Sequence, residues 1–282
     1  PCVASAPIDG LCLHVDEPKP LGLEPLAQTA KPPAQPLRLP CTPDDGGPVI
    51  HVYYGYFGTN DLDKGPRPAR ALLVQGLASA DYLVNEAAKA TGGTRHIRFY
   101  TPGCQLSITP VKLQSDSFSQ MAALLGVNFN ESGDKYLVLT NVPGGYSTCG
   151  GLGSVMEDDS PGSANYNNRF ESLAYVYCAS LFDWNTGEVI AHEITHTLGG
   201  VQASAPNATG SYFFHCTDES DLMCYDDGSG KKMRKVCPTR TPEPIDCNKD
   251  DYFNVSPSPS SYLGRHWNTA NSRWLTHGDP AK

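Results

Sequence analysis

The 282-residue sequence predicts an α+β fold: a mixed, twisted sheet with packed helices, then a loop-rich, disulfide-braced half ending in a helix. Three observations predict it. Between residues 49 and 183, β-branched or aromatic runs alternate with stretches of helical spacing, the pattern of a sheet covered by helices. After Gly199 this patterning gives way to turns. Ten cysteines are spread along the chain without a C-x-x-C pair, so disulfides are expected rather than thiolate clusters.

The elements follow in order. Residues 1–48 hold eleven of the 24 prolines, which remove backbone donors and fix φ. This segment reads as an extended strap or a propeptide remnant. Residues 49–282 read as a single domain in two lobes, upper 49–199 and lower 200–282. Val49–Tyr54 is a buried strand. Residues 68–90 place Leu73, Val74, Leu77, Ala80, Leu83, Val84 and Ala87 at near-helical spacing, ended by Gly92-Gly93. Residues 96–100 and 105–113 read as strands, 116–126 as a short helix, and 136–140 and 172–178 as strands. The stretch 144–163 is rich in glycine and serine. A last helix is expected over Tyr262–Leu275.

Composition excludes some functions. The formal net charge is −9, and the basic run 231–235 has acidic neighbours, so it reads as a solvated loop and no nucleic-acid partner is expected. No apolar run approaches the length of a membrane span. Up to five disulfides imply an oxidising, extracellular compartment. The start at Pro1 fits a mature secreted form. Asn130, Asn207 and Asn254 begin N-x-S/T sequons.

The chemistry concentrates in residues 185–199. Asn185 or Thr186 can cap a helix and Gly199 can end it in a left-handed turn. Val189, Ile190, Ile194 and Leu198 supply a buried side. His192 and His196 are four apart, so they share a face and both reach one metal ion. Glu193 lies beside them as a general base. This is H-E-x-x-H. Asp221-Leu222-Met223-Cys224-Tyr225 follows downstream.

Together, His192, Glu193, His196, Gly199 and the turn around Met223 resemble the metzincin zinc endopeptidases, whose helix continues through glycine to a third ligand and whose later turn carries a methionine. The resemblance covers about residues 185–226 by motif. The strand–helix order before it is similar to a metzincin upper lobe, and residues 215–275 look like certain secreted bacterial metzincin-like peptidases. It implies a zincin fold, a zinc cofactor, Met223 in the Met-turn, and Tyr225 near the metal, as in astacin- and serralysin-like members. It also implies a peptide substrate held as an extra strand along an edge. The best edge candidate is about Gly145–Met156. One departure stands out: the third-ligand position, 202, is Gln. Either Gln202 binds through its amide oxygen, or His215 replaces it. Ligand chemistry favours His215, and family geometry favours Gln202.

Asp246, Asn248 and Asp250 place oxygen donors at alternate positions, the start of a calcium-loop pattern that lacks its Gly and Glu. For the cysteines, near-neighbour pairing gives 2–12, 41–104, 149–178, 216–224 and 237–247. The even total speaks against a free cysteine that silences a metal. The expected function is a secreted zinc-dependent endopeptidase acting as a monomer. The competing readings are a catalytically impaired metal-binding protein on the same fold and an amidase with a non-protein substrate.

Overall fold

A computed structural model describes residues 11–13, 37–64, 68–141, 149–178, 186–210, 213–239 and 243–278. Its strands are β1 (Leu11–Leu13), β2 (Ile50–Tyr56), β3 (Thr94–Ile97), β4 (Ile108–Lys112), β5 (Lys135–Asn141), β6 (Gly150–Met156), β7 (Ser172–Cys178) and β8 (Leu275–Gly278). Its helices are α1 (Ala69–Lys89), α2 (Phe118–Leu125) and α3 (Thr186–Thr197). Five strands form one mixed sheet in the order β6-β7-β5-β2-β4, and β1 extends it by pairing with β6. Strands β4, β2, β5 and β7 are parallel, while β6 runs antiparallel to β7. A second, two-stranded sheet joins β3 to β8.

Both faces of the parallel strands are covered, so they are apolar at nearly every position. Alternation decides which helix each side chain meets. Val52, Leu137, Leu139, Ala174 and Val176 face a core shared with α1 and α3. Val138, Leu173, Tyr175 and Tyr177 face Phe118 and Met121 of α2. Helix α1 inserts Leu73, Leu77, Ala80, Leu83 and Val84 into the first core. Helices α1 and α3 cross closely at Gly187, where an added Cβ would lie 2.3 Å from the Ser79 side chain. That contact fixes the height of α3 over the sheet.

Four of the expected disulfides form: Cys41–Cys104, Cys149–Cys178, Cys216–Cys224 and Cys237–Cys247. The expected Cys2–Cys12 pairing involves Cys2, which lies outside the described residues. Cys41–Cys104 ties the proline-rich segment to the loop before β4. Residues 200–261 are loop-rich as expected, and the basic run 231–235 is largely exposed. Among the described residues no helix is long and apolar enough to cross a membrane.

The helix expected over Tyr262–Leu275 does not form. The chain makes bends, one 3-10 turn at Thr269–Asn271, and then β8. Asn268 explains the break: its side-chain oxygen accepts from Ala270 N–H and its amide donates to Asn254 O, so the side chain competes with a helical ladder. The irregular path also buries both Trp267 and Trp274. Each contributes on the order of 4 kcal/mol of apolar burial, more than a few helical hydrogen bonds return.

Candidate metal centre

Helix α3 ends as its sequence dictates. Gly199 takes φ +92°, Gly199 N–H donates to His196 O (2.8 Å) and Gly200 N–H donates to Thr195 O (3.0 Å). This is a Schellman closure. It brings the Gly200 carbonyl back beneath the helix, where it accepts from His196 Nδ1 at 3.0 Å. Thr186 is the first helical residue, and Asn185 lies outside the described residues.

His192, His196 and His215 converge, with one ring nitrogen of each within 4.8 Å of the others, and all three are buried. Each ring is oriented through Nδ1. That of His192 lies 2.8 Å from Leu222 O, and that of His215 lies 3.3 Å from Asp227 Oδ2. A carbonyl oxygen only accepts, so Nδ1 of His192 and of His196 carries the hydrogen and Nε2 presents its lone pair. The two Nε2 atoms stand 3.0 Å apart. Two lone pairs at that distance repel unless a proton or a metal ion is bound between them. Three imidazoles, each with an oxygen acceptor on the distal nitrogen, form a donor set suited to zinc.

His215 reaches the helix because the lower loops are tied. The Cys216–Cys224 bridge follows it directly, and Cys216 N–H donates to Met223 O at 3.3 Å. Met223 is fully buried. Its turn is held by Asp221, whose Oδ1 accepts from Met223 N–H (2.8 Å) and Tyr252 O–H (2.7 Å). Burial and the nearby Asp246 push the Asp221 carboxyl well up from its ordinary range. Burial alone would raise Asp227 too. Hydrogen bonds from His215, Thr209 and Ser229 overcome it and hold this carboxyl well below the usual range. Asp227 is therefore an anion aimed at His215. Tyr225 is half-buried, with its ring centroid 4.1 Å from that of His215 and 6.0 Å from that of His192.

Gln202 is not in the cluster. Its amide donates to Met156 O (3.0 Å) and Gly199 O (2.9 Å), and its oxygen accepts from Asp158 N–H (2.9 Å). The whole amide joins the end of β6 to the end of α3. Its oxygen therefore already serves a backbone donor.

Glu193 is fully buried on α3 against β6. The glycines of β6 make that approach possible. A Cβ on Gly151 would lie 2.5 Å from Glu193 Cγ and Oε1, and one on Gly153 would lie 2.6 Å from His196 Cβ. The edge expected at Gly145–Met156 is strand β6 from Gly150 onward, with 145–148 outside the described residues. It is not wholly free: β1 pairs antiparallel with it from Leu11↔Met156 to Leu13↔Ser154.

The calcium-loop reading is corrected in its ligands. Asp246 has both oxygens occupied. Oδ1 accepts from Asp250 N–H, and Oδ2 accepts from the N–H groups of Tyr252 and Phe253. It is the cap of the 246–253 turn. The side chain of Asn248 points its amide nitrogen at Asp218 Oδ2, 3.1 Å away. Of the three expected ligands only Asp250 joins a carboxylate group, with Asp218 and Asp251.

Sequence reasoning missed Leu222 O, Gly200 O and Asp227 as partners of the histidines, and only Asp227 left a signal. That signal was the pair Asp226-Asp227 shortly after Met223, since metal-ligating imidazoles usually donate to an oxygen. Comparison with protein-family models finds no match, and neither does comparison with curated protein sequences.

Proposed function

We propose that His192, His196 and His215 bind zinc and that the chain is a secreted zinc-dependent endopeptidase of metzincin type. One observation carries the reading: three buried imidazoles converge, each oriented through Nδ1 by an oxygen, with Glu193 on the same helix. A structural site needs no general base, whereas the H-E-x-x-H helix supplies a carboxylate next to its first histidine, and Glu193 is buried there against β6. The four disulfides are compatible with an extracellular setting.

When bound, zinc acidifies a coordinated water and polarises a carbonyl. Glu193 takes the proton from the attacking water and passes it to the leaving amine nitrogen. The anionic Asp227 holds His215 in the tautomer that offers Nε2. Tyr225 donates its hydroxyl hydrogen to the oxygen that becomes negative as the carbonyl is attacked. The β6 edge pairs with substrate backbone, and its glycines keep the strand close to Glu193.

The reading as an impaired metal-binding protein rested on Gln202 as a weak third ligand. The third imidazole offered by His215 supports the peptidase reading over it. The test is cleavage of a generic unfolded protein by wild type and by Glu193→Ala in zinc-containing buffer. The variant is expected to keep its zinc and to lose at least about 10²-fold in turnover. Equal cleavage by both would sink the assignment.

A further inference from the structure

A second cluster lies between the loop closed by Cys216–Cys224 and the 246–253 turn. One carboxylate oxygen each from Asp218, Asp250 and Asp251 lies within 4.8 Å of the other two. Two oxygens that each sit about 2.4 Å from one ion are separated by no more than twice that distance, so the spacing is that of a shared calcium. An acidic cluster alone proves little. Here Asp218 is only 2% exposed, and its Oδ1 has no hydrogen-bond donor. Asp250 Oδ1, in the same group, is likewise buried without one. Among the described residues the nearest cation to Asp218 Oδ1 is the Arg234 guanidinium at 3.9 Å, and that side chain is about half exposed. Three carboxylates therefore face one partial counter-charge.

The backbone is shaped to bring them together. Asp246 and Lys249 both adopt positive φ, at 49° and 64°. Asp246 gathers the N–H groups of Asp250, Asp251, Tyr252 and Phe253 around its carboxylate. The following two side chains are thereby delivered to Asp218. Asn207 positions Asp251 from the other side, through N–H (2.8 Å) and Nδ2 (3.0 Å). The same contact commits the Asn207 sequon nitrogen.

We infer that Asp218, Asp250 and Asp251 form a calcium site that joins the Met-turn loop to the 246–253 turn. The donors are all hard oxygens, with no imidazole among them, which selects calcium over zinc. Backbone carbonyls and water complete the shell. Asp218 belongs to the loop closed by Cys216–Cys224, the loop that also carries Leu222 and Met223. The ion steadies the loop whose Leu222 carbonyl orients His192, and takes no part in bond cleavage. The inference stands whether or not the chain is a peptidase.

The test uses the full chain, stripped with chelator and reloaded with one equivalent of zinc. Calcium chloride is titrated by calorimetry, and the melting temperature is read in parallel. One calcium per chain is expected, with a rise of about 5 °C near hundred-fold saturation. Asp218→Asn and Asp250→Asn should each weaken calcium at least about tenfold and leave zinc content unchanged. Wild type that takes up no calcium, with an unmoved melting temperature at millimolar concentration, overturns the inference without recourse to any variant. Magnesium binding more tightly than calcium overturns it too, as does wild-type calcium affinity in the Asp218→Asn, Asp250→Asn double variant.

Discussion

The close approach of β6 to α3 makes Gly151→Ala the sharpest test of the proposed mechanism. The new methyl would lie 2.5 Å from Glu193 Cγ and Oε1 and 2.6 Å from Cδ, about 0.9 Å short of ordinary contact. All three atoms belong to the flexible part of one side chain. The strand and helix backbones have no reason to move, so the carboxylate moves instead, by about 1 Å. A general base displaced that far loses on the order of 10²-fold in rate, because proton transfer depends on hydrogen-bond geometry. His192, His196 and His215 keep their partners, so zinc affinity should stay within a factor of about three. Gly153→Ala is the contrasting case. Its methyl would meet His196 Cβ at 2.6 Å and the Glu193 carbonyl at 2.8 Å, neither of which can swing away. That variant should lose stability by about 1–3 kcal/mol, as overpacked sites do. The assay is kcat/KM on an unfolded protein, zinc affinity by competition with a chromogenic chelator, and the melting temperature. Full activity in Gly151→Ala, or zinc loss equal to its activity loss, would refute the placement of Glu193 as base.

Other perturbations separate the remaining roles. His215→Ala should reduce zinc affinity by more than 10²-fold and Gln202→Ala by less than threefold, measured by the same competition; the reverse order would return the third ligand to position 202. Asp227→Ala removes the acceptor on His215 and should cost about 10–100-fold in zinc affinity. A chain beginning at residue 37 lacks β1, so the outer edge of β6 at Ser154–Met156 opens and KM should fall several-fold. An unchanged KM would place substrate elsewhere. Burial raises Asp246 to about 6, and burial with the neighbouring Asp246 raises Asp251 to about 7. Asp251 is also faced by Asp218, Asp250, Asn207, Tyr262 and, through Asp218, Arg234. In the unfolded chain these carboxyls titrate near ~4. The folded state therefore holds more protons between ~4 and the raised values, and chelated protein should melt lower as pH rises from 5 to 7.5. Calcium should remove the share of that fall due to Asp251, a proposed ligand, and leave the share due to Asp246.

Much of the upper part was legible because its signals are local. The apolar runs of β2, β5 and β7 and the spacing of α1 follow from side-chain periods that need no partner to be read. Helix α3 was legible to its last residue, since Gly199 announces the turn that the backbone makes. Strand β6 was read only as an edge candidate within a glycine-rich stretch. Its glycines answer to Glu193 and His196, residues about 40 positions away, and no local pattern records that demand. The helix expected at Tyr262–Leu275 failed for a similar reason. Asn268 bonds Asn254 O, Trp267 bonds Leu198 O and Trp274 packs under Lys135, partners that the local sequence does not encode. The calcium pattern erred by reading alternate positions along the chain. Asp246 is consumed by its own turn, and the carboxylate that completes the group, Asp218, lies 32 residues before Asp250.

The third histidine shows how one departure from a motif can be compensated by the rest of the chain. In a helix–glycine–ligand arrangement, the residue three after the glycine must point back at the metal. Here that residue is Gln202, and its amide instead closes three backbone groups left by the ends of β6 and α3. A histidine at 202 has too few donors and acceptors to close all three while also facing a metal. In the proposed centre the third ligand comes from residue 215, which needs an anchor that a helix extension would not. The chain provides it twice, by the Cys216–Cys224 bridge immediately after the ring and by Asp227 on its distal nitrogen. The arrangement ties the proposed metal site to the disulfide. Reducing Cys216–Cys224 frees the loop that carries His215, Leu222 and Met223, while His192 and His196 stay on the helix. Mild reduction should therefore lower zinc affinity well before it melts the sheet, and a Cys216→Ser, Cys224→Ser variant that retains wild-type zinc affinity would show that His215 is placed by Asp227 alone.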